Sequence, residues 1–138
     1  NLGVVKTNEN DIEYHSAVRS SIFSLKEEIV ERNRCLTEIL GGTFTTNAGY
    51  PEWPYKTDSK IRHICKEVYS KMYGKEADVV AIHAGLECGL FKEKLGDLDM
   101  ISFGPDIFDI HTPNEHMSIS STRRCYEYLL EVLKEIRE

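Results

Sequence analysis

A short segment with two prolines constrains the fold of this 138-residue chain more than any other feature. It reads Gly49-Tyr50-Pro51-Glu52-Trp53-Pro54-Tyr55. Proline lacks a backbone N–H and restricts the residue before it, so neither a helix nor a central strand can run through such a segment. We therefore predict a domain boundary near residue 56, which separates residues 1–56 from residues 57–138.

The region before this boundary has the pattern of a small sheet with one helix. Residues 2–7 are strand-like, and residues 12–20 place Ile12, Tyr14, Ser16 and Val18 on one face, so two strands are predicted. A helix is expected to begin at Ser24, the first residue of an S-x-x-E capping box, and to stop at Gly41-Gly42. Residues 43–47 are rich in β-branched side chains and predict a third strand. The order β-β-α-β indicates a two-layer arrangement of sheet and helix.

The region after the boundary alternates helical and strand-like segments. Two of its segments are nearly continuous apolar runs, the pattern of strands that are covered on both faces. The predicted elements are helix 58–73, strand 78–84, helix 86–95, strand 99–103 and helix 120–137. Cys125, Leu129, Val132, Leu133 and Ile136 form the predicted inward face of the last helix. Together with the first region, this order predicts the α/β fold class.

Composition excludes several function classes. The net charge of −6 and the pI of about 5.4 give no basic surface for nucleic acid, so no nucleic-acid partner is expected. No apolar run approaches the roughly 18 residues of a membrane span, so no membrane association is expected. Cys35, Cys65, Cys88 and Cys125 are far apart, which favours free thiols in a reducing, cytoplasmic setting. The absence of an initiator methionine suggests a fragment of a longer protein.

Two predicted loops concentrate residues suited to chemistry. In the first, Gly85 follows an apolar strand and would let a ligand approach the backbone, with Glu87 in the first turn of the next helix. The alternative is an ordinary strand-to-helix turn. In the second, His111 precedes Pro113, and neutral imidazole is a common metal ligand. His116 is either a second ligand or a surface residue, and either histidine could also be an ordinary polar loop residue.

Three segments taken together resemble the closing part of a known family. They are His83-Ala84-Gly85-Leu86-Glu87-Cys88-Gly89-Leu90, Ile101-Ser102-Phe103-Gly104-Pro105 and His111-Thr112-Pro113-Asn114-Glu115. Their order and spacing are similar to those of the cytosolic aminoacyl-histidine dipeptidases, also called Xaa-His dipeptidases or bacterial carnosinases, of the M20 metallopeptidase family. The resemblance extends upstream through Gly49–Trp53 and so covers essentially the whole chain.

The resemblance implies a fold and an activity. Residues 1–56 would be the later part of an inserted lid and dimerisation domain, and residues 57–138 the end of a catalytic α/β domain that holds two zinc ions, with cobalt or manganese as other possible metals. The implied activity is hydrolysis of Xaa-His dipeptides, such as β-alanyl-histidine, by a cytoplasmic homodimer. The remainder of the same polypeptide would complete the enzyme.

The resemblance also assigns roles to particular residues. His111 falls on the last metal ligand, Arg19 on the lid arginine that grips the substrate carboxylate, and Gly85 on the glycine whose backbone contacts substrate. Glu87, beside that glycine, is carried over as a further substrate-binding residue. The family's H-x-D segment, Glu-Glu pair and general base have no counterpart in these 138 residues. We therefore expect no catalytic base in this chain and no hydrolysis by the chain alone.

Three alternatives remain open from the sequence. The chain could be a non-catalytic binding or dimerisation module that kept the fold. It could use Cys88 in thiol chemistry near a helix start, although no resolving cysteine lies nearby in sequence. Arg19, considered without the resemblance, could form a surface ion pair with Glu13.

Overall fold

The computed structural model describes residues 1–47, 49–82 and 87–136. The chain divides into two compact units, the first of Asn1–Tyr55 with Ala81–Gly96 and the second of Lys56–Val80 with Asp97–Glu138. The assignment of residues 1–56 to a lid and of 57–138 to a catalytic domain stays a prediction. None of the helices in the described ranges is long and apolar enough to cross a membrane.

The first unit begins with an antiparallel hairpin. Strand β1 spans Leu2–Thr7 and strand β2 spans Ile12–Ser16. Leu2 lies opposite Ser16, so β1 provides no strand partner for later residues. For that reason the predicted extension of β2 to Ser20 is wrong. The segment 43–47 is not a strand either, because the described sheet that contains β1 and β2 has only these two strands.

Helix α1 spans Phe23–Ile39 and has no buried residue. The predicted capping box at Ser24 is wrong, since Ile22 occupies the cap position without a side-chain hydrogen bond to the helix. The predicted stop is confirmed, because Gly41 follows the helix with a φ of 77°. This is a left-handed conformation, which glycine tolerates better than other residues.

Three further helices follow along the chain. Helix α2 spans Lys60–Tyr73, helix α3 spans Glu87–Leu95, and helix α4 spans Ile119–Glu135. Helix α3 belongs to the first unit, whereas α2 and α4 belong to the second. The predicted helix over 86–95 is thus confirmed over its described residues.

The two long helices of the second unit form the core of the described chain. Cys65 and Val68 of α2 pack against Tyr128 and Val132 of α4, and all four are buried. The Tyr128 hydroxyl donates a hydrogen bond of 2.8 Å to the Cys65 carbonyl within this core. The buried Tyr128 hydroxyl therefore has the hydrogen-bond partner that a buried polar group needs.

Local signals specify both ends of α2. The Ser59 side chain accepts a hydrogen bond from Arg62 N at 3.1 Å, which satisfies one of the free N–H groups of the first turn. Gly74 ends the helix in a left-handed conformation with a φ of 66°. The predicted second helix and its glycine stop are confirmed, although the helix begins at Lys60 rather than at residue 58.

The two predicted buried strands of the second region are wrong. Among the described residues, neither 78–82 nor 99–103 is a strand, and Val80 is 74% exposed. An apolar run forms a ladder only where another strand lies beside it, and the described residues provide none there. The structure instead contains a small antiparallel pair, β3 (Ile107–Phe108) and β4 (His116–Met117).

The final helix is confirmed as an element but not in its predicted inward face. Of the five residues expected to point inward, Val132 is buried and Cys125 is half-buried, whereas Leu129, Leu133 and Ile136 are exposed. Ser121 and Tyr128 are buried with Val132. The buried face of α4 is therefore narrower than its apolar face, because α2 is the one described helix that packs against α4.

Candidate functional site

The hairpin of β3 and β4 is anchored on the first turn of α4. Ser118 N donates to the Asp106 carbonyl at 3.0 Å, and Asp106 N donates to Ser121 Oγ at 2.9 Å. Ser121 is buried, and Ser118 caps the helix by accepting from Ser121 N. The same serines that begin α4 therefore fix the base of the hairpin, and with it the loop that carries His111.

The loop between the two strands consists of two consecutive turns. Thr112 closes the first turn, since its amide and its hydroxyl both donate to the Asp109 carbonyl, at 3.1 Å and 2.7 Å. Glu115 N closes the second turn by donating to the Thr112 carbonyl at 3.1 Å. Asn114 N donates to Thr112 Oγ1 at 3.2 Å. Thr112 is thus the centre of the loop's internal hydrogen bonding.

His111 has an unusual backbone conformation. Its φ is 66° and that of Asp109 is 51°. Both values lie in the left-handed region that disfavours residues with a Cβ atom. The His111 amide donates a hydrogen bond of 2.8 Å to Glu115 Oε2. The imidazole is exposed, and no described side chain hydrogen-bonds to it, so the ring can accept a ligand without breaking a described contact.

His116 is held more firmly than His111. Its ring stacks on Phe108 with the centroids 5.2 Å apart, and its Nδ1 lies 2.8 Å from the Asn114 carbonyl. The Asp109 carboxylate is 3.6 Å from the same nitrogen. A proton on Nδ1 satisfies the Asn114 carbonyl, which leaves Nε2 as the ring nitrogen able to bind a further group. Whether His116 is a ligand or a surface residue stays an open prediction.

The described residues fit one ligand of a metal site but not a complete site. Over residues 1–47, 49–82 and 87–136, no group of three or more His, Cys, Asp or Glu residues could hold a metal ion. A catalytic zinc takes about three protein ligands. His111 has the right donor chemistry and the right exposure for one of them. At least one further ligand would therefore have to come from outside the described residues.

The other predicted site residues belong to the first unit. Arg19 is exposed and follows the end of β2, so its predicted place on the strand over 12–20 is wrong. Glu13, the partner considered for Arg19, lies with its Oε2 3.0 Å from His15 Nε2. Glu87 is exposed and is the first residue of α3. Gly85 lies outside the described residues.

The two-proline segment packs closely against Gly89 of α3, a contact that the sequence prediction missed. Gly89 is buried, and a Cβ atom at this position would lie 2.4 Å from the Pro51 carbonyl oxygen. Only glycine allows this approach of helix to backbone. A glycine inside a helical pattern was the available signal, since such a residue weakens a helix unless packing requires it. Gly89 thus allows α3, which begins at Glu87, to pack directly on the two-proline segment.

An ion pair connects the same segment to α1. Lys26 Nζ pairs with the Glu52 carboxylate and donates to the Tyr50 carbonyl at 3.2 Å. Burial alone would raise the pKa of the Glu52 carboxyl. The Lys26 ammonium, with a smaller attraction from Lys92, nevertheless holds that pKa below its usual value. Glu52 is therefore ionised at neutral pH and stabilises the position of the segment.

Cys88 is a poor candidate for thiol chemistry. Burial raises the pKa of its thiol, and the neighbouring Glu87 carboxylate adds a smaller increase, while a backbone hydrogen bond only partly offsets these two effects. The thiolate is the reactive form of cysteine, and both effects disfavour it. The structure therefore argues against the thiol oxidoreductase alternative.

Comparison with known proteins supports the sequence resemblance. A family model described as Peptidase family M20/M25/M40 matches residues 9–135. The chain is 38% identical to the cytosol non-specific dipeptidase of Escherichia coli (strain K12) over 136 residues, which cover 99% of this chain and 28% of that protein. A solved structure of aminoacylhistidine dipeptidase from Vibrio alginolyticus matches with a TM-score of 0.81 and 33% identity, over 100% of this chain and 28% of that one.

These matches agree with one another. The chain spans about 28% of the length of each of these two relatives. The predicted resemblance to M20 dipeptidases and the predicted α/β fold class are both confirmed. Because the family match extends over nearly all of the chain, this protein is a member of peptidase family M20/M25/M40.

Proposed function

We propose that the chain is part of a metal-dependent dipeptidase, a hydrolase of peptide bonds that acts on Xaa-His dipeptides such as β-alanyl-histidine. The observation that carries this proposal is the family match over residues 9–135. One relative is named as a dipeptidase of non-specific action and the other as an aminoacylhistidine dipeptidase. We propose that activity belongs to the complete polypeptide that contains this chain, in the cytoplasm and as a homodimer.

His111 is proposed as one protein ligand of a two-zinc centre. Its imidazole is exposed and engaged by no described side chain, and the loop around it is closed by two turns. Such a ring binds a metal with little rearrangement of the loop. Zinc is the proposed metal, since imidazole suits zinc, with cobalt and manganese as substitutes.

Arg19 is proposed to bind the carboxylate of the dipeptide. A guanidinium donates two parallel hydrogen bonds to a carboxylate, which fixes the register of a short peptide. Gly85 is proposed to contact the substrate through its backbone. Glu87 at the start of α3 is proposed as a further substrate-binding group, for instance for the free amine.

The ligand role of His111 is tested by metal content. In the complete polypeptide, we expect His111→Ala to lose bound zinc and all measurable turnover, with zinc measured by mass spectrometry after dialysis. His63→Ala is the matched control, because His63 is also exposed and lies on the surface of α2. Equal zinc content in the His111 and His63 variants would contradict the ligand role.

The role of Arg19 is tested with two substrates. Arg19→Met should lower kcat/KM for β-alanyl-histidine by about two to four orders of magnitude, the effect of losing a charged clamp worth about 3–5 kcal/mol. The dipeptide amide, which lacks the carboxylate, should be a poor substrate for both forms and should show little further loss. Arg32→Met is the matched control, since Arg32 forms an exposed pair with Glu28, an interaction of little energetic weight. A loss below twofold, or an equal loss on the amide, would rule out the clamp.

A non-catalytic binding or dimerisation module is the second candidate. It is favoured by the absence of a complete group of metal ligands in the described part of the chain. Zinc content and dipeptide hydrolysis of the complete polypeptide separate the two candidates. A folded polypeptide with neither property would favour the module.

A further inference from the structure

We propose that Glu115 is a positioning residue that holds the backbone of His111 in its left-handed conformation and so sets the direction of the imidazole. This inference rests on the proposed ligand role of His111. It adds a residue whose own side chain need not touch the metal or the substrate. The observation behind it is the 2.8 Å hydrogen bond from the His111 amide to Glu115 Oε2.

The conformation of His111 needs such a partner. Its φ is 66°. At a positive φ of this kind, the Cβ atom of an L-residue crowds its own backbone, so an unrestrained histidine prefers a negative φ. A residue keeps such a φ only where its surroundings fix it. Of the hydrogen bonds in the described loop, the one to Glu115 is the bond that engages the His111 amide itself.

Glu115 is itself fixed, so the hydrogen bond can transmit a constraint. Its amide donates to the Thr112 carbonyl at 3.1 Å, and the next residue, His116, pairs with Phe108 across the hairpin. The backbone of Glu115 therefore lies at the closed end of the loop, while its carboxylate reaches back to residue 111. Removal of the carboxylate would free the His111 amide to turn toward water. The φ of His111 would then relax, and the Cβ atom and ring would move with it.

Substitutions at Glu115 can separate a positioning role, which needs only an acceptor oxygen, from a role that needs the negative charge. A hydrogen bond to a backbone N–H needs an acceptor oxygen, which glutamine also carries, whereas a metal ligand or a proton acceptor needs the carboxylate. Glu115→Gln should therefore behave like the unmodified protein, and Glu115→Ala should not. Glu127→Ala is the matched control, because Glu127 is an exposed glutamate on α4 that pairs with Arg123, away from the loop.

The first measurement needs no metal. In the metal-free complete polypeptide, hydrogen–deuterium exchange of the peptide that spans residues 109–116 should be faster in Glu115→Ala. It should be unchanged in Glu115→Gln and Glu127→Ala. Equal exchange in all three variants would overturn the proposal. Equally fast exchange in Glu115→Gln and Glu115→Ala would also overturn it. Thermal unfolding of each variant shows whether a change is confined to the loop.

The second measurement is zinc affinity, by competition with a chelator. Glu115→Ala should weaken zinc binding by about 10- to 100-fold, the usual effect of losing a group that orients a ligand, and Glu115→Gln by less than about threefold. An equal loss in both variants would make the carboxylate itself the binding group and would overturn the proposal.

His111→Ala, measured in the same series, separates the two levels of inference. Loss of zinc in His111→Ala but not in Glu115→Ala would overturn the positioning role alone. Full zinc binding by His111→Ala would overturn the proposed ligand role, and the role of Glu115 in zinc binding with it.

Discussion

Helices α1, α2 and α4 all carry apolar residues at helical spacing, but these residues are confined to one face more sharply in α2 and α4 than in α1. The structure also buries them to different extents. No residue of α1 is buried by the described chain, whereas α2 and α4 bury Cys65, Val68, Tyr128 and Val132 between them. The contrast shows that an apolar stripe specifies a helix, but that its burial depends on a partner within reach. Among the described residues, α2 and α4 have such partners in each other.

Helices α2 and α4 also have stronger capping interactions at their ends than α1 has. Ser59 and Ser118 each accept a hydrogen bond from the first turn of their helix, and Gly74 ends α2 in a left-handed conformation. Helix α1 begins after Ile22, which has no side chain able to cap. The second unit is therefore specified by both local signals and core packing, and the first unit depends more on contacts such as Lys26–Glu52.

The largest expected effect comes from placing a charge on each helix in turn. In the 138-residue chain, Val68→Asp should unfold the α2–α4 pair, because an unpaired carboxylate in a core position costs more than about 3 kcal/mol. Val68 is 3% exposed, whereas Ile29 of α1 is 43% exposed. Ile29→Asp should change stability by less than about 1 kcal/mol. Hydrogen exchange of the peptides from each helix measures both effects, and similar losses in the two variants would contradict the comparison.

A smaller loss of stability is expected in the first unit, where α3 packs closely against the backbone of Pro51. Gly89→Ala should destabilise the first unit by about 1–3 kcal/mol, since its Cβ would lie 2.4 Å from the Pro51 carbonyl and the helix must move. Gly104→Ala is the control, because no described atom beyond Gly104 and its chain neighbours lies within 4 Å of a Cβ at that position. The measurement is hydrogen exchange of the peptides that contain α3 and residues 50–55. A neutral Gly89→Ala would mean that α3 does not depend on this contact.

Sequence patterns predicted those features whose cause is local. The glycine stops at Gly41 and Gly74 were correct, because a left-handed residue suits glycine wherever it occurs. The strand predicted over 78–84 failed because an apolar run does not reveal whether another strand lies beside it. The capping box at Ser24 failed in a similar way: the motif was present, but the helix began one residue earlier, at Phe23.

The candidate site was predictable in its residues but not in its geometry. His111 came from the resemblance, and the pattern His111-Thr112-Pro113 indicated a constrained loop. Neither predicted the left-handed φ of His111 or its hydrogen bond to Glu115, because a histidine at positive φ has no distinctive sequence signal. Arg19 was misplaced on a strand because the length of β2 is set by its partner β1, which a pattern within residues 12–20 does not contain.

The smallest expected effect is a difference in how the two units respond to acid. Glu52 in the first unit and Asp99 in the second both have carboxyls whose pKa lies below the usual value. In Asp99, burial alone would raise the pKa, but hydrogen bonds from the Ser59 hydroxyl and the Ile61 amide lower it. A carboxyl with a lowered folded pKa stabilises the fold above its unfolded pKa of about 4. That contribution is lost as pH falls through the folded pKa.

Salt separates the two carboxyls, because their partners differ in charge. The Glu52 contribution depends on the Lys26 ammonium, so about 1 M salt, with a Debye length of about 3 Å, should reduce it. The Asp99 contribution depends mainly on neutral donors and should persist. Each effect is expected to be below about 1 kcal/mol. Hydrogen exchange is measured above and below pH ~4 for residues 50–55 and for the first turn of α2. Glu52→Gln should remove the acid response of residues 50–55, and Asp99→Asn should remove that of the first turn of α2. An acid response in residues 50–55 that salt leaves unchanged would mean that the two-proline segment is not held by the Lys26–Glu52 pair.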